Sequence, residues 1–449
     1  MTKSREIASK QSDSNNNTAY GTNALPVNTT GAANVAVGRL ALSANTTGEQ
    51  NTAVGQSTLK TNVIGLLNTA IGSAALFSTV TGYSVAVGGY ALYSNTTGVF
   101  NTAVGNSAMQ FNTTGSNNTG LGYIALQNNT TGVNNVAVGA YALDANTVGI
   151  SNTAIGYNAM GANTSANQNT AIGASALSAN VTGADNTAVG NGVLLSNTVG
   201  SVNTSVGTWS LAANTTGAAN NAIGAFALNN NTIGESNASI GYYSLGANTT
   251  GSYNVAIGSF ALDASITSSA NVAVGYDSLG SVSTGANNTA VGHQAGNAGT
   301  NLTTGSNNTI LGFQAMTSSA TVSNTVTLGN ASIATLRCQV TSITALSDAR
   351  DKTDVESIPV GLDFINKLNP VTFTWNMRDG GKVGIKDTGF IAQELMATED
   401  EAELAEYLQL TYRDNPEKLE ATQGRLIPIL VKAVQELSAK VAELEAKVN

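Results

Sequence analysis

Over most of this 449-residue chain, side chains suited to acid–base or metal chemistry are scarce. There is one cysteine, Cys338, and one histidine, His293. A lone cysteine forms no disulfide within its own chain and no multi-cysteine metal site. A lone histidine excludes a His-rich metal centre and leaves little room for a Ser-His-Asp relay. No metal or cofactor is expected. Between residues 21 and 346 the only carboxylates are Glu49, Asp144, Asp185, Glu235, Asp263 and Asp277. Glycoside cleavage needs two carboxyl groups converging on one bond; Glu235 and Asp263 come nearest to such a pair, and solvated turn charges are the simpler reading. The hexamer Ser347–Lys352, SDARDK, gathers a hydroxyl, carboxylates and an amine. Read alone, it is a polar turn.

The elements that would position these groups follow from an uneven charge distribution. Residues 21–346 contain three basic and six acidic residues, whereas residues 347–449 contain twelve and nineteen. Such a shift marks two physically different regions, with the boundary at Leu346/Ser347. The first is an internal repeat. An aliphatic-Gly pair recurs at Gly21, Gly38, Gly55, Gly72, Gly88 and onward to Gly329, with 16 of the 18 intervals equal to 17 residues. The exceptions are 16 (Gly72 to Gly88) and 20 (Gly292 to Gly312). Constant spacing implies identical stacked coils.

Most coils approach NTAVGxxALxxNTTGxx, as in Asn51–Leu67. Two short apolar patches per coil suit two short strands joined by turns. Asn-Thr-Thr-Gly is the expected turn, with Asn and Gly supplying left-handed backbone. One coil cannot bury its Val and Leu alone; stacking at about 4.8 Å turns the Val/Ile and Leu/Met rows into continuous cores. The small Ala53, Ala103 and Ala188 would permit close approach of other subunits at a threefold axis. Asn and Thr are expected to form hydrogen-bonded ladders. The Asn-x-Thr triplets formally match glycosylation acceptors and are better read as turns.

Aromatic residues sit one or two positions after the repeat Gly, among them Tyr123, Tyr141, Trp209, Tyr243 and Phe260. Stacking lines them along one edge, where Trp209 and Tyr243 are candidates for contact with a surface polysaccharide; packing between coils explains them equally well. Acidic balance argues against nucleic-acid binding. No apolar run reaches the ~20 residues of a membrane span, and Met1–Lys10 lacks the apolar stretch of a secretory signal.

NTAVGxxAL is similar to the head repeats of trimeric adhesins, which form trimeric β-rolls, and to repeats in bacteriophage tail fibres. In the second region, SDARDKTDV (Ser347–Val355), LNPVTFTW (Leu368–Trp375), GFIAQEL (Gly389–Leu395) and RLIPILVKAVQEL (Arg425–Leu437) occur in the order of the intramolecular chaperone domain of phage tailspikes and fibres, peptidase family S74, which it resembles. That resemblance implies a Ser-Lys dyad. Ser347 maps to the nucleophile and Lys352 to the base, with cleavage between Leu346 and Ser347 and with Asp348 and Arg350 in support. Asp351 stands where the family often has an apolar residue. A lysine desolvated within an assembled trimer would accept the hydroxyl proton without any histidine.

Ile427, Leu430, Val434, Leu437, Val441, Leu444 and Val448 alternate spacings of 3 and 4, a heptad seam. The expected architecture is therefore mainly β: an attachment peptide (1–20), a trimeric β-solenoid shaft (21–334), a connecting strand (335–346), and a small α/β chaperone domain (347–449) ending in a coiled coil from about 425. The expected function is that of a homotrimeric phage tail fibre in the virion, docked on another tail or baseplate protein through residues 1–20 and not inserted in a membrane. A bacterial trimeric adhesin and a tailspike-like depolymerase are the alternatives.

Overall fold

The computed structural model describes residues 9–10, 13–333, 347–378, 383–413, 415, 417 and 419–448. Most of the expected attachment peptide's first dozen residues lie outside the described residues, as does the connecting strand with Cys338 and Leu346. The chain divides into two compact units, Met1–Gln294 and Ala295–Asn449.

The first unit is a parallel β-solenoid. Each coil contributes one three-residue strand, from Thr18–Tyr20, Val35–Val37 and Thr52–Val54 onward to Thr289–Val291. Equivalent residues lie opposite each other, as Ala53 does with Ala70 and Ala154 with Ala171. Only one strand forms per coil, not two. After the repeat Gly the backbone becomes left-handed at alternate positions, with φ of 57° at Ser57 and 50° at Leu59, which turns the chain instead of extending it. Hydrogen bonds still join the coils there: Ser57 N donates to Arg39 O at 2.8 Å and Leu59 N to Ala75 O at 3.1 Å. The leucine side chain points inward, and Leu42, Leu59, Leu76 and Leu143 are fully buried.

The strands also correct the expected core. Their middle residues, Ala36, Ala53, Ala103 and Ala188, have no exposed surface and face the chain's own interior. The Val/Ile row lies on the opposite face because alternate residues of a strand point to opposite sides. Ile71, Leu121 and Ile223 are 40%, 45% and 42% exposed. The core is thus an Ala row against a Leu/Met row, and the small residues do not line an outer face.

Asparagine closes the interior with two ladders. In the first, Asn51 donates from Nδ2 to Asn34 Oδ1 (3.1 Å) and to Gly65 O (2.8 Å), while its backbone N donates to the same Oδ1 (3.0 Å). In the second, Asn45 Nδ2 donates to Asn28 Oδ1 (2.9 Å) and Gly48 O (3.1 Å). Buried amides satisfied in this way add specificity to a core that has few large side chains. The Asn-Thr-Thr-Gly turn therefore works differently from expectation. Neither Asn45 nor Gly48 is left-handed. Gly48 is required by close approach, since a Cβ there would lie 2.4 Å from both Asn45 Oδ1 and Gly65 O. Asn45 is fully buried, which leaves this formal glycosylation acceptor inaccessible.

The second ladder breaks where Ser265 follows Asn248. Asn248 Oδ1 is then buried without a partner, and the adjacent small residue is Ser268 in place of Gly. Ser265→Asn with Ser268→Gly should leave the thermal midpoint nearly unchanged, because the added amide satisfies Asn248 Oδ1 while position 282 of the next coil is a valine with no donor to offer its own Oδ1. A midpoint shifted by many degrees would contradict this account.

In the second unit two further strands, Thr309–Leu311 and Val326–Leu328, pair in parallel. Beyond residue 346 come a 3-10 turn (Ala349–Asp351), α1 (Leu362–Ile365), an antiparallel hairpin (Val371–Asn376 with Val383–Gly389), α2 (Ala392–Glu401), α3 (Ala405–Leu408), a two-residue ladder (Thr411–Tyr412 with Glu420–Ala421) and α4 (Leu426–Val448). Phe364, Leu408, Leu410, Leu426 and Ile429 form the core of this small α/β region.

Candidate functional site

The segment that opens the α/β region folds on itself. Asp348 caps the 3-10 turn: its carboxylate accepts from Arg350 N at 2.9 Å and from Arg350 Nε at 3.0 Å. Lys352 N closes the turn by donating to Ala349 O at 3.3 Å. The turn reverses the chain, so that Lys352 Nζ donates to Ser347 Oγ at 2.6 Å. The hydrogen bonds from the Arg350 side chain, and then from its backbone, hold the Asp348 carboxyl below the usual carboxylate range. Ser347, Asp348, Arg350, Asp351 and Lys352 are all exposed in the single chain. The two residues that the sequence pairs as nucleophile and base are therefore within hydrogen-bond reach; Leu346, on the other side of the expected cleavage point, lies outside the described residues.

Glu399, which no sequence motif singled out, holds the domain together away from the dyad. Its carboxylate is fully buried on α2 and accepts from Leu410 N, from Thr411 Oγ1 at 2.7 Å and from Arg413 at 2.9 Å. Arg413 also bridges to Asp400 at 2.8 Å. These bonds tie α2 to the following strand. The partners lie 11 to 14 residues away with no helical or strand periodicity linking them, so nothing in the sequence pattern marks the group.

α4 has two apolar faces. Leu426, Ile429 and Ala433 are buried, and Glu436 Oε2 accepts from Leu362 N at 2.8 Å at the start of α1. The first four seam residues each follow a contact residue by one position, so the seam lies about 100° further round the helix. Ile427, Leu430, Val434, Leu437, Val441, Leu444 and Val448 are all exposed, from 44% at Leu430 to 87% at Val448.

In the solenoid the aromatic rings stack across coils. Tyr123, Tyr141 and Tyr157 make successive edge-to-face contacts at 5.5 and 5.9 Å. Phe226, Tyr242, Phe260 and Tyr276 continue edge-to-face further along, and His293 stacks nearly parallel on Tyr276 at 5.1 Å. The ring of Trp209 lies over Gly192 of the preceding coil, close enough that a Cβ there would be 3.2 Å from it. Tyr243 packs on Gly246 of its own coil. Both side chains thus have packing roles within the solenoid.

Asp263, expected as a solvated turn charge, is half-buried and lies close enough to Asp277 to feel its charge. Asp263 is raised to about 6, first by burial and then by Asp277, and Glu235 plays no part in the shift. A folded-state value above the ordinary one means that the native chain holds this proton more tightly than the unfolded chain. The associated stability is complete below the unfolded value near 3.8 and is lost as pH rises through about 6. Asp263→Asn should accordingly flatten the fall of the thermal midpoint between about pH 4 and 7 and raise the midpoint at about pH 7.5. A wild-type midpoint that climbs over this range would contradict the assignment. Among the described residues no group of three or more His, Cys, Asp or Glu could hold a metal ion, and no helix is long and apolar enough to cross a membrane.

No curated protein and no solved structure matches the chain. One family model does. Its match begins at Ser347 and runs through LNPVTFTW and GFIAQEL to residue 403, just beyond α2. The segment that places Lys352 on Ser347 thus lies within the residues that match Peptidase_S74, the chaperone of endosialidase.

Proposed function

We propose that the chain is a homotrimeric fibre protein of a phage tail, whose C-terminal domain aligns three copies and then cuts itself away before Ser347. The hydrogen bond from Lys352 Nζ to Ser347 Oγ, 2.6 Å long and at the first residues of the chaperone match, carries this reading. Chaperone domains of this family are associated with trimeric assembly, and the exposed seam of α4 supports the same conclusion.

In the proposed reaction the Ser347 oxygen attacks the carbonyl carbon of Leu346. The hydroxyl proton passes to the Lys352 amine, the C–N bond breaks, and the proton is delivered to the departing Ser347 nitrogen. Water then hydrolyses the ester, releasing a Leu346 carboxylate and restoring the Ser347 hydroxyl. Lys352 acts as a base only as the neutral amine, a form that desolvation favours. Because the dyad is exposed in the single chain, assembly must supply the cover. This couples cutting to completed assembly.

The coupling suits a repetitive shaft. Neighbouring chains displaced by one coil present nearly the same rows, so register is weakly specified by the repeats themselves. A non-repeating clamp at one end removes that ambiguity, and its later loss leaves a kinetically trapped fibre. The shaft would reach toward the host surface, with residues 1–20 docked on another tail protein. Intact and native mass of the expressed chain test the proposal: fragments 1–346 and 347–449, with the longer one trimeric, are expected. A stable monomer of uncut chains would refute it.

A further inference from the structure

We propose that the outer face of the solenoid sheet, the row of Val and Ile that precede the repeat glycines, is the surface on which copies of this chain pack along the length of the shaft. The proposal rests on the trimeric reading and adds the surface that carries it.

From Thr18–Tyr20 to Thr289–Val291, seventeen strands each turn two side chains outward. The outward positions are Thr, Val, Ala or Asn at the start of each strand and Val, Ile, Leu or, once, Tyr20 at its end, so no charged residue falls on this face between Thr18 and Val291. The inner face of the sheet is covered by the chain's own Leu row, whereas Ile155, Ile172, Ile240, Ile257 and Val291 remain about two-fifths exposed.

Parallel sheets are found almost only with both faces covered. The aliphatic row alone exposes on the order of 1,000 Å² of apolar surface, against roughly 300–600 Å² for the largest patch on a typical monomer. It also exceeds the ~800 Å² per partner that a standard stable interface buries.

The period of the row selects its occupant. A parallel copy of the same chain has the same rise per coil, so each Val or Ile meets another along the whole row, whereas a partner of different period drifts out of register. The heptad seam of α4 is a second, independent self-association element in the same chain. Once cleavage removes that helix, the shaft chains need a contact of their own to stay together, and the sheet face provides it.

The test uses the full chain with Cys338→Ser, into which single cysteines are introduced at Ile172, on the sheet face, or at Thr182, exposed elsewhere on the same coil. With a short bis-maleimide, Ile172→Cys should give at least about tenfold more covalent dimer than Thr182→Cys, because assembly holds its thiols at high effective concentration. A second variant, Ile172→Glu with Ile223→Glu, should keep the circular dichroism of the solenoid while fragment 1–346 loses its trimeric mass. If wild type is itself a monomer, the trimeric reading fails. If wild type is a trimer, yet both cysteines cross-link equally or the double Glu variant stays trimeric after cleavage, the sheet face is not the interface and only this inference is overturned.

Discussion

Ser347→Ala is expected to leave the 449-residue chain uncut while it still assembles into a trimer, since the variant loses only the attacking oxygen. Lys352→Ala should slow cutting by about 10²–10⁴-fold, the usual range for a positioned general base. Lys352→Arg separates the two roles the lysine could have. Arginine keeps the positive charge and the donor next to Ser347 Oγ, but it does not give up its proton. Cutting should therefore stay blocked in Lys352→Arg if the lysine takes the proton, and return if it merely orients the hydroxyl. Denaturing gels and intact mass over several hours give the readout, and native mass confirms that each variant assembles. Normal processing in Ser347→Ala or Lys352→Ala would dismiss the dyad, whatever the distance of 2.6 Å between the two groups.

The second large effect concerns the seam of α4. Leu437→Asp with Leu444→Asp should abolish assembly, giving a monomer by native mass with reduced helical signal. In the single chain these side chains are 49% and 61% exposed, so the change removes no contact from the domain core and by itself costs within about 0.5 kcal/mol. In a three-stranded seam the same carboxylates would be buried against one another, which costs several kcal/mol per ion. The stretch 437–448 is exposed throughout, and a dozen helical residues without partners are marginal, hence the loss of helical signal. Lys440→Ala, between the seam positions, serves as the control and should leave the mass unchanged. Trimeric mass in the double variant would show that the seam does not hold the copies together. If cutting depends on cover supplied by assembly, the double variant should also remain uncut.

The two regions differ in how much of them could be read from the sequence. The solenoid was legible because its repeat is one-dimensional: the 17-residue spacing of Gly21, Gly38 and Gly55 sets the coil, and stacking then follows from nearest neighbours. Facing was harder to read. Val54 and Ala53 are adjacent apolar residues, and composition favours the larger one for the core. The strand places Ala53 inside because the coil is narrow: its interior is filled by Leu59 and by the Asn51 and Asn62 amides, which leaves room only for a methyl group. Likewise Gly48 is needed for the approach of Asn45 and Gly65, a contact between coils that the local turn pattern does not reveal.

For the site, four motifs in order carried a resemblance that implied the pairing of Ser347 with Lys352, and the family match covers the first three of them. The sequence by itself determined the coil length, the uncharged faces, the heptad seam and the types of residue at the expected cleavage point, since all of these are periodic or local. Only the tertiary structure decided which apolar row faces inward, that Glu399 is buried with Arg413 as its partner, and that the turn capped by Asp348 returns Lys352 to Ser347. These depend on the direction of a side chain relative to residues that the sequence pattern does not bring together, and direction is set by backbone dihedral angles and close packing.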